Sequence, residues 1–283
     1  MSAVKMDGKA LSAKVRGGIL AETEELKKRG VTPGLAVIIV GNDPASEIYV
    51  RNKEKACAEC GFYSEKYALP AETTQEELLG LIAELNQSPQ VNGILCQMPV
   101  PKHIDEQAVI DAIAPEKDVD AFHPVNVGKI MVGNFDFVPC TPAGVMELLA
   151  EYGIDPKGKE CVVVGRSNIV GKPMAMLLLH KHGTVTVCHS RTEDLAGVCR
   201  RADILVAAVG KAAFVTPDMV KDGATVIDVG MNRNAEGKVC GDVDPAVMDK
   251  AAYMTPVPGG VGPMTITMLM KNTLKAAKVQ HGL

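Results

Sequence analysis

Residues 161–173 read Cys161-Val162-Val163-Val164-Gly165-Arg166-Ser167-Asn168-Ile169-Val170-Gly171-Lys172-Pro173. The apolar run Cys161 to Val164 predicts a buried strand, and Pro173 indicates the first turn of a helix. Glycine in the loop between them lets the backbone approach an anion, and the free N–H groups at the helix start attract one. Because the spacing is not Gly-x-Gly-x-x-Gly, this loop alone leaves an ordinary connection and a phosphate site equally open.

The segment after the next predicted strand, Val185 to Cys188, favours NADP over NAD. NAD-binding folds place a carboxylate there for the ribose hydroxyls, and this chain has none. The hydroxyl of Ser190 and the guanidinium groups of Arg191 and Arg166 instead suit the 2′-phosphate of NADP. The alternative is that Ser190 and Thr192 cap the following helix while Arg191 is a solvated charge.

Strands and helices alternate through the rest of the second half, which predicts a Rossmann-like NADP-binding domain over 142–263. Its further expected elements are helices at Thr141 to Tyr152, Pro173 to His182 and Glu193 to Arg201, and strands at Ile204 to Val209 and Ala224 to Val229. A proline- and glycine-rich elbow at Thr255 to Pro263 then precedes a helix from Met264 to Lys278. We expect this C-terminal helix, within 264–283, to return to the first domain.

The first half, residues 1–141, shows a second alternating series and predicts another parallel sheet. The expected helices are Asp7 to Arg29, Pro44 to Cys60 after the cap Asp43, Gln75 to Gln87 after the capping box at Thr74, and Ile104 to Ala114; the strands are Leu35 to Val40, Phe62 to Leu69 and Val91 to Cys96. Pro115 to Pro142 has no regular pattern, so we expect a functional loop and a domain border there. The predicted fold is α/β, with two parallel-sheet domains and an interdomain cleft.

Composition limits the possible partners. The 283 residues are 47% hydrophobic and 23% charged, which is typical of a folded globular chain. Thirty Lys and Arg residues against 34 Asp and Glu residues give a net charge of −4, so neither nucleic acid nor an anionic membrane is expected to bind. The apolar runs are far shorter than the ~20 residues of a membrane span, and no signal peptide is evident. We expect a cytoplasmic protein that acts on small molecules.

The eight cysteines are expected to be reduced thiols that pack as small hydrophobic side chains. Cys57 and Cys60 form a Cys-x-x-Cys pair. A zinc ribbon needs a second pair at matched spacing, however, and a redox pair lies where a strand turns into a helix. Because this pair lies inside a helical pattern, the sequence favours core packing, and no metal site is expected.

A stripe of polar groups on the helix after Asp43 is a candidate site. Ser46, Tyr49 and Lys53 have the i, i+3, i+7 spacing of one helix face. This helix begins just beyond the carboxyl end of the strand Leu35 to Val40, where parallel sheets bind ligands. The ordinary alternative is a half-buried Tyr49 and a Lys53 that extends into water.

The next strand supplies Gln97, followed by Met98 and Pro99, at its own carboxyl end, so Gln97 and Lys53 are expected to meet. A buried lysine beside a neutral amide has its pKa lowered by desolvation, which suits proton transfer. Asp118 and Asp120 are the nearby acids, and one of them could accept two N–H bonds from an amino-pyrimidine ring. The alternative is a solvated acidic turn.

A series of blocks, in order along nearly the whole chain, resembles the bifunctional methylenetetrahydrofolate dehydrogenase/methenyltetrahydrofolate cyclohydrolase family. The blocks are Val40 to Ser46 leading to Tyr49 and Lys53, Gly93 to Pro99, Lys117 to Asp120, Pro139 to Pro142, Val164 to Pro173, Ile227 to Gly230 and Pro258 to Thr265. The resemblance implies NADP-dependent oxidation of 5,10-methylenetetrahydrofolate and hydrolysis of the methenyl product to 10-formyltetrahydrofolate, in one-carbon metabolism.

The same resemblance implies roles for individual residues. Lys53 matches the family's catalytic lysine, Tyr49 the tyrosine that packs on the folate, Gln97 the glutamine that tunes the lysine and Asp120 the pterin anchor. Ser46, Met98, Pro99, Pro258, Gly259 and Gly260 are further expected folate contacts, and Gly165, Arg166, Ser167, Ser190, Arg191 and the Met231 backbone are expected NADP contacts. The chain departs from the pattern at Ala121, where many members have glycine. The family is usually dimeric, so a homodimer is expected.

Two other functions fit parts of the pattern. An NADP-dependent dehydrogenase of a small hydroxy or keto acid, of the shikimate dehydrogenase type, also pairs a small α/β domain with a Rossmann domain, but its site should need cations for a carboxylate substrate. A non-catalytic nucleotide-sensing module would leave Lys53 and Asp120 as surface charges.

Overall fold

A computed structural model describes residues 2–283, without the side chains of residues 44 and 45. The chain divides into two compact units. Lys14–Cys140 and Ile266–Leu283 form one, called here the lysine unit; the N-terminal segment that ends at Ala13 and Thr141–Thr265 form the other, called here the glycine-loop unit. None of the helices within residues 2–283 has the length and apolar character to cross a bilayer.

Helices and strands alternate along the chain. In order they are β1 (Val4–Lys5), α1 (Gly8–Lys28), β2 (Gly34–Val40), α2 (Pro44–Glu59), β3 (Tyr63–Leu69), α3 (Gln75–Gln87), β4 (Gly93–Cys96), α4 (Glu106–Ala112), α5 (Pro124–Val132), α6 (Cys140–Glu151), β5 (Glu160–Val164), α7 (Gly171–His180), β6 (Thr184–Cys188), α8 (Leu195–Cys199), β7 (Ile204–Ala207), β8 (Thr225–Asp228), β9 (Asn232–Arg233), β10 (Val239–Cys240), β11 (Tyr253–Met254) and α9 (Val261–Gln280). The predicted α/β class is confirmed.

The lysine unit is built on a parallel sheet of order β3-β2-β4. Every residue of the central strand β2 is buried, which explains its continuous apolar run. Ala36, Ile38 and Val40 pack with Leu78 and Ile82 of α3 in one core. The carboxyl ends of β2 and β4 therefore lie side by side, and the segments that follow them can share a site.

The predicted start signals of this unit are confirmed. Asp43 accepts a hydrogen bond from the Ser46 backbone at 2.8 Å, which caps α2. Thr74 and Glu77 form the expected reciprocal capping box of α3. The C-terminal helix packs on this unit as expected, since Gln280 donates to the backbone carbonyls of Asn92 and Glu116, both at 2.9 Å.

The expectation of an irregular segment from Pro115 to Pro142 is wrong in part. Helix α5 occupies Pro124–Val132, with Pro124 in its first turn and Gly133 in the left-handed conformation at its end. The proline and glycine that suggested a loop are the start and stop of this short helix. The expected helix opened by Pro142 begins earlier, at Cys140.

The glycine-loop unit contains a parallel sheet of order β1-β11-β8-β7-β5-β6. The short strand Val4–Lys5, from the predicted first domain, forms its edge by pairing with β11. The chain passes from β5 to β6 on one side and returns to β7 on the other side of β5. This reversal is the topological switch point at which doubly wound sheets bind ligands. β1, β11 and the hairpin β9-β10 were not expected, because pairs of residues carry no periodicity.

Candidate active site

Helix α2 and strand β4 bring Lys53 and Gln97 together. The Lys53 Nζ atom donates to Gln97 Oε1 at 2.8 Å, so the expected meeting of these residues is confirmed. Gln97 is fixed at both its backbone and its side chain. Its backbone N–H donates to the Ile38 carbonyl at 2.8 Å, and its side-chain Nε2 atom donates to the Met98 carbonyl at 2.8 Å. The amide oxygen is therefore the atom turned toward the amine.

Lys53 is half-buried as a residue, but its amine is enclosed by the protein. Burial lowers the pKa of Lys53, and the negative charge of Asp120 opposes that shift. The partner at hydrogen-bond distance is a neutral amide, which cannot accept a proton. The alternative that Lys53 extends into water is wrong, and an amine in this setting loses its proton more easily than an exposed lysine.

Asp120 lies close enough to Lys53 for each to affect the pKa of the other. Burial raises the pKa of Asp120, while Lys53 and a hydrogen bond from Cys140 act in the opposite direction. Burial and the neighbouring Asp120 carboxylate raise the pKa of the Cys140 thiol well above its usual value, so this thiol is a neutral donor. The group around the amine thus contains a single close carboxylate and otherwise uncharged atoms.

Asp118 has a different role from Asp120. Its carboxylate accepts from the backbone of Phe122 at 3.2 Å and of His123 at 2.8 Å, and from Asn126 Nδ2 at 2.8 Å. These bonds fix the turn after Asp120 and occupy the Asp118 oxygens. Of the two acids that the sequence left open, Asp120 is therefore the one available to a ligand.

Ala121, the departure from the family pattern, has a φ of 58° and is fully buried. A residue with a Cβ atom in this left-handed conformation costs roughly 1–2 kcal/mol. The cost explains why glycine suits the position, and the Asp118 hydrogen bonds hold the alanine in the same turn.

Asn272, on α9, supports Asp120 and was not found from the sequence. Its Nδ2 atom donates to the Val119 carbonyl at 2.8 Å, to the Val138 carbonyl at 3.0 Å and to Cys140 Sγ at 3.7 Å. One buried amide therefore fixes the segments on both sides of the Asp120 site. Its place in an amphipathic helix gave no signal, because the contact spans 153 residues of sequence.

Four other residues of the predicted folate site, Ser46, Tyr49, Met98 and Pro99, belong to the same unit as Lys53. Tyr49 is half-buried, and burial raises the pKa of its phenol. Ser46 is buried, with its hydroxyl donating to Asp43 at 2.7 Å, so it stabilises the start of α2. Met98 precedes Pro99 through a cis peptide bond. A pocket beside Asp120 is lined by Ile94, Leu95, Cys96, Met98, Ile110, Ile113, Asp118, Asp120 and Phe122.

The predicted phosphate loop of the glycine-loop unit leaves no room for side chains at its glycines. Gly165 has a φ of 133°, and a Cβ atom there would lie 2.3 Å from the Ala208 carbonyl oxygen. A Cβ atom on Gly171 would lie 2.3 Å from the Gly165 carbonyl oxygen. The Ser167 hydroxyl accepts from the backbone of Val170 at 3.2 Å and of Gly171 at 3.3 Å. This tight turn brings backbone to the sheet edge, as a dinucleotide phosphate requires.

The segment after β6 presents the two groups expected for a 2′-phosphate. Thr192 Oγ1 accepts from the His189 backbone at 2.9 Å, which closes a turn with Ser190 and Arg191 exposed at its tip. Helix α8 is capped by Asp194, so the alternative that Ser190 and Thr192 cap it is wrong. The Arg191 backbone donates to His189 Nδ1 at 3.1 Å. Within residues 2–283, the guanidinium groups of Arg191 and Arg166 form no hydrogen bond or ion pair, and both residues are exposed.

Four further predicted contacts, Met231 for NADP and Pro258, Gly259 and Gly260 for folate, lie in the glycine-loop unit. Met231 precedes β9 and is half exposed. Pro258 follows a cis peptide bond, and the backbone carbonyl of Gly259 accepts from Lys9 at 3.1 Å, while Gly260 donates to Pro256 at 2.8 Å. These bonds order the elbow at the start of α9.

The cysteines are free thiols, and all but Cys240 are buried. Burial raises the pKa of Cys57 to about 11 and of Cys60 to about 12. Across the described part of the chain, the structure has no group of three or more His, Cys, Asp and Glu side chains that could hold a metal ion. Cys57 and Cys60 therefore contribute to the core.

Two family profiles match this chain. The one described as "Tetrahydrofolate dehydrogenase/cyclohydrolase, catalytic domain" matches residues 6–120, and the one described as "Tetrahydrofolate dehydrogenase/cyclohydrolase, NAD(P)-binding domain" matches residues 139–281. A relative from Acetivibrio thermocellus named "Bifunctional protein FolD" is 64% identical over 281 residues, with 99% of each chain covered. The similarity thus extends over both units.

Solved structures give the same result. A bifunctional FolD methylenetetrahydrofolate dehydrogenase/cyclohydrolase from Campylobacter jejuni has a TM-score of 0.96 and 50% identity, covering 99% of this chain and 100% of that one. The Trypanosoma brucei enzyme, complexed with NADP cofactor and an inhibitor, has a TM-score of 0.96 and 42% identity over 100% of both chains. A shikimate 5-dehydrogenase from Thermus thermophilus, at 15% identity and a TM-score of 0.54, shares the fold alone.

Proposed function

Because this chain belongs to the tetrahydrofolate dehydrogenase/cyclohydrolase family, we propose that Lys53 is the proton-transfer group of its cyclohydrolase reaction. The chain is a bifunctional NADP-dependent methylenetetrahydrofolate dehydrogenase and methenyltetrahydrofolate cyclohydrolase. It oxidises 5,10-methylenetetrahydrofolate to the methenyl form and hydrolyses that form to 10-formyltetrahydrofolate. The observation that carries the proposal for Lys53 is the enclosed amine that donates to Gln97 at 2.8 Å.

The cyclohydrolase reaction needs an amine that can accept a proton. The methenyl substrate is a cation, and a water molecule that adds to its carbon must lose a proton. A neutral Lys53 amine accepts this proton, which a permanently charged arginine does not do. Gln97 orients the amine but carries no negative charge that would stabilise its protonated form. The positive charge of the substrate further disfavours protonated Lys53.

Asp120 is proposed to anchor the substrate. A carboxylate accepts two parallel N–H bonds from an amino-pyrimidine edge, and such charge-assisted bonds fix orientation as well as affinity. The partly buried Asp120 carboxylate and the adjoining, mostly apolar pocket suit a flat ring with a polar edge. Tyr49, Ser46, Met98, Pro99 and the loop Pro258 to Gly260 remain proposed folate contacts.

The residues of the glycine-loop unit fit NADP. When bound, NADP accepts a hydride from the methylene carbon of the folate. Gly165, Arg166 and Ser167 would hold its phosphates at the start of α7, where Gly165 and Gly171 allow the tight backbone turn. Ser190 and Arg191 would bind the 2′-phosphate, and the Met231 backbone is a further proposed contact.

The activity is tested with purified protein, 5,10-methylenetetrahydrofolate and NADP. We expect NADPH to form and the absorbance of the methenyl product to rise and then decay as hydrolysis follows. Supplied directly, methenyltetrahydrofolate should be hydrolysed without NADP. Failure of both reactions would contradict the assigned function, and oxidation without hydrolysis would leave Lys53 without its proposed role.

The cyclohydrolase rate is expected to depend on pH through Lys53. Burial lowers the pKa of this amine, so its neutral fraction, and with it the rate, should rise with pH and level off below the pH at which exposed lysines titrate. In Gln97→Glu, a carboxylate beside the amine should move this rise upward by about one pH unit or more. The measurement is the initial hydrolysis rate against pH, corrected for uncatalysed hydrolysis.

Gln87→Glu, at the exposed end of α3, is the matched control for this profile and should leave it unchanged. If Gln97→Glu and Gln87→Glu both follow the wild-type curve, Lys53 does not set the pH dependence.

Arg191→Ala is expected to raise the KM for NADP by about tenfold, because an exposed charge-assisted contact with the 2′-phosphate is lost. The KM for NAD, which lacks that phosphate, should stay the same. The control is Lys157→Ala, an exposed cation that precedes β5 at the amino edge of the sheet. Equal changes in the KM for NADP and in the KM for NAD would show that Arg191 does not recognise the 2′-phosphate.

We also propose that the chain acts in the cytoplasm as a homodimer, on the basis of the family resemblance. Light scattering of the purified protein should give twice the mass of one chain. A mass of one chain at micromolar concentration would contradict the dimer.

A further inference from the structure

Two buried carboxylates, Asp228 and Asp242, lie in the glycine-loop unit outside the residues assigned above. Asp228 ends β8 and Asp242 follows β10 by two residues, and their exposed fractions are 2% and 0%. Over residues 2–283, no lysine or arginine side chain forms an ion pair with either. A carboxylate costs much free energy to bury without hydrogen bonds, so the donors around these two groups reveal their role.

Asp242 binds the loop that follows β7. Its Oδ2 atom accepts from the backbone of Val209 at 2.6 Å and of Gly210 at 3.0 Å, and its Oδ1 atom accepts from the backbone of Lys211 at 2.9 Å. Three consecutive N–H groups thus converge on one carboxylate. Because each bond involves a charged acceptor, together they hold this loop in one backbone course.

The loop after β7 forms one wall of the proposed NADP site. Ala208, at its start, donates to Val164 at 2.8 Å, and its carbonyl oxygen occupies the space that a Cβ atom on Gly165 would need. The segment Val209 to Lys211 therefore leaves the sheet beside the phosphate loop, at the switch point between β5 and β7. A displacement of this segment would change the shape of the cofactor site.

The same carboxylate also holds the segment that follows β8. The Asn232 Nδ2 atom donates to Asp242 Oδ1 at 2.8 Å, and Asn232 directly follows Met231. Asp242 is in turn held by Asp228, whose Oδ1 atom accepts from the Asp242 backbone at 2.8 Å and from the Gly230 backbone at 2.9 Å. One buried side chain therefore joins the loop after β7 to the Met231 segment.

We propose that Asp242 is a positioning residue of the NADP site. It acts through the backbone of Val209 to Lys211 and through Asn232, and it sets the distance between two segments that flank the cofactor. The inference rests on the proposed function for the identity of the cofactor. It goes further by assigning cofactor affinity to a carboxylate that touches only protein.

The test uses full-length Asp242→Asn. The new amide places an N–H donor where the carboxylate accepted backbone N–H groups, so the loop must shift. We expect the dissociation constant for NADPH, measured by its fluorescence without folate, and the KM for NADP to rise about tenfold or more. Hydrolysis of methenyltetrahydrofolate consumes no NADP, and its kcat and KM should stay at wild-type values.

Asp244→Asn is the matched control. Asp244 is a partly exposed carboxylate two residues away, which accepts from the Ala246 backbone at 2.8 Å and caps a short 3-10 helix. This variant should bind NADPH as the wild type does. Unchanged NADPH binding in Asp242→Asn would overturn the proposal. A lower melting temperature with an equal fall in the dehydrogenase and cyclohydrolase activities would also overturn it.

If Asp242→Asn does not fold, Asn232→Ala provides the test, because it removes one hydrogen bond at a partly exposed residue. We expect it to raise the dissociation constant for NADPH about threefold while hydrolysis is unchanged. Equal NADPH binding in Asn232→Ala and wild type would overturn the proposal. NADPH binding requires neither folate reaction, so these results are distinct from a failure of the proposed activity.

Discussion

Replacing Lys53 by methionine is expected to lower the cyclohydrolase rate by about a thousandfold, because methionine has a similar length but cannot accept a proton. The measured quantity is the rate at which methenyltetrahydrofolate absorbance decays with enzyme, corrected for the uncatalysed reaction. NADPH binding should survive, since the proposed cofactor residues belong to the glycine-loop unit. The loss would then be specific to proton transfer.

Lys55→Met is the matched control for this variant. Lys55 lies on the same helix, is exposed and reaches Glu59 only at 3.9 Å, and such a surface ion pair contributes little to stability. It should hydrolyse the substrate at the wild-type rate. Equal hydrolysis rates in Lys53→Met and wild type would remove Lys53 from the mechanism.

Asp120→Asn is expected to have the second largest effect, a rise of about a hundredfold in the KM for folate substrates. The amide retains the size of the carboxylate and can still accept from Cys140, but it loses the charge and one of two acceptor oxygens. A lost charge-assisted pair costs about 1.5–3 kcal/mol, or roughly tenfold to a hundredfold in affinity. Both activities should be affected, because both use the same pterin anchor.

Asp111→Asn, an exposed carboxylate at the end of α4, is the control and should leave both KM values unchanged. NADPH binding should be normal in both variants. A folate KM within twofold of wild type in Asp120→Asn, with the protein folded, would show that the pterin is not held by this carboxylate.

The meeting of Lys53 and Gln97 could be predicted from the sequence. Helix α2 and Gln97 follow two neighbouring parallel strands, and the carboxyl ends of such strands lie at one edge of the sheet. Their contact at 2.8 Å confirms that argument. The choice between Asp118 and Asp120 could not be made in the same way. It depends on which carboxylate the backbone of Phe122 and His123 already occupies, and turn hydrogen bonds leave no periodic signal.

The supporting residues were beyond sequence reasoning for a related reason. Asn272 and Asp242 act on backbone groups 153 and 33 residues away, and neither side chain belongs to a local pattern. Helix α5 was missed because Pro124 and Gly133, which bound it, lie close together and suggest a loop. Residues that flank a ligand occur in recognisable sequence motifs. Residues that fix the surrounding loops can be identified only from the complete fold.

The central claim is that the Lys53 amine titrates below an ordinary lysine, and NMR titration measures this directly. In protein with isotope-labelled lysine side chains, the Lys53 signal is assigned by its absence from Lys53→Met. We predict that it titrates well below the signal of exposed Lys55 and moves upward in Gln97→Glu. A Lys53 signal that titrates together with Lys55, near the ordinary lysine value of about 10.4, would contradict the claim.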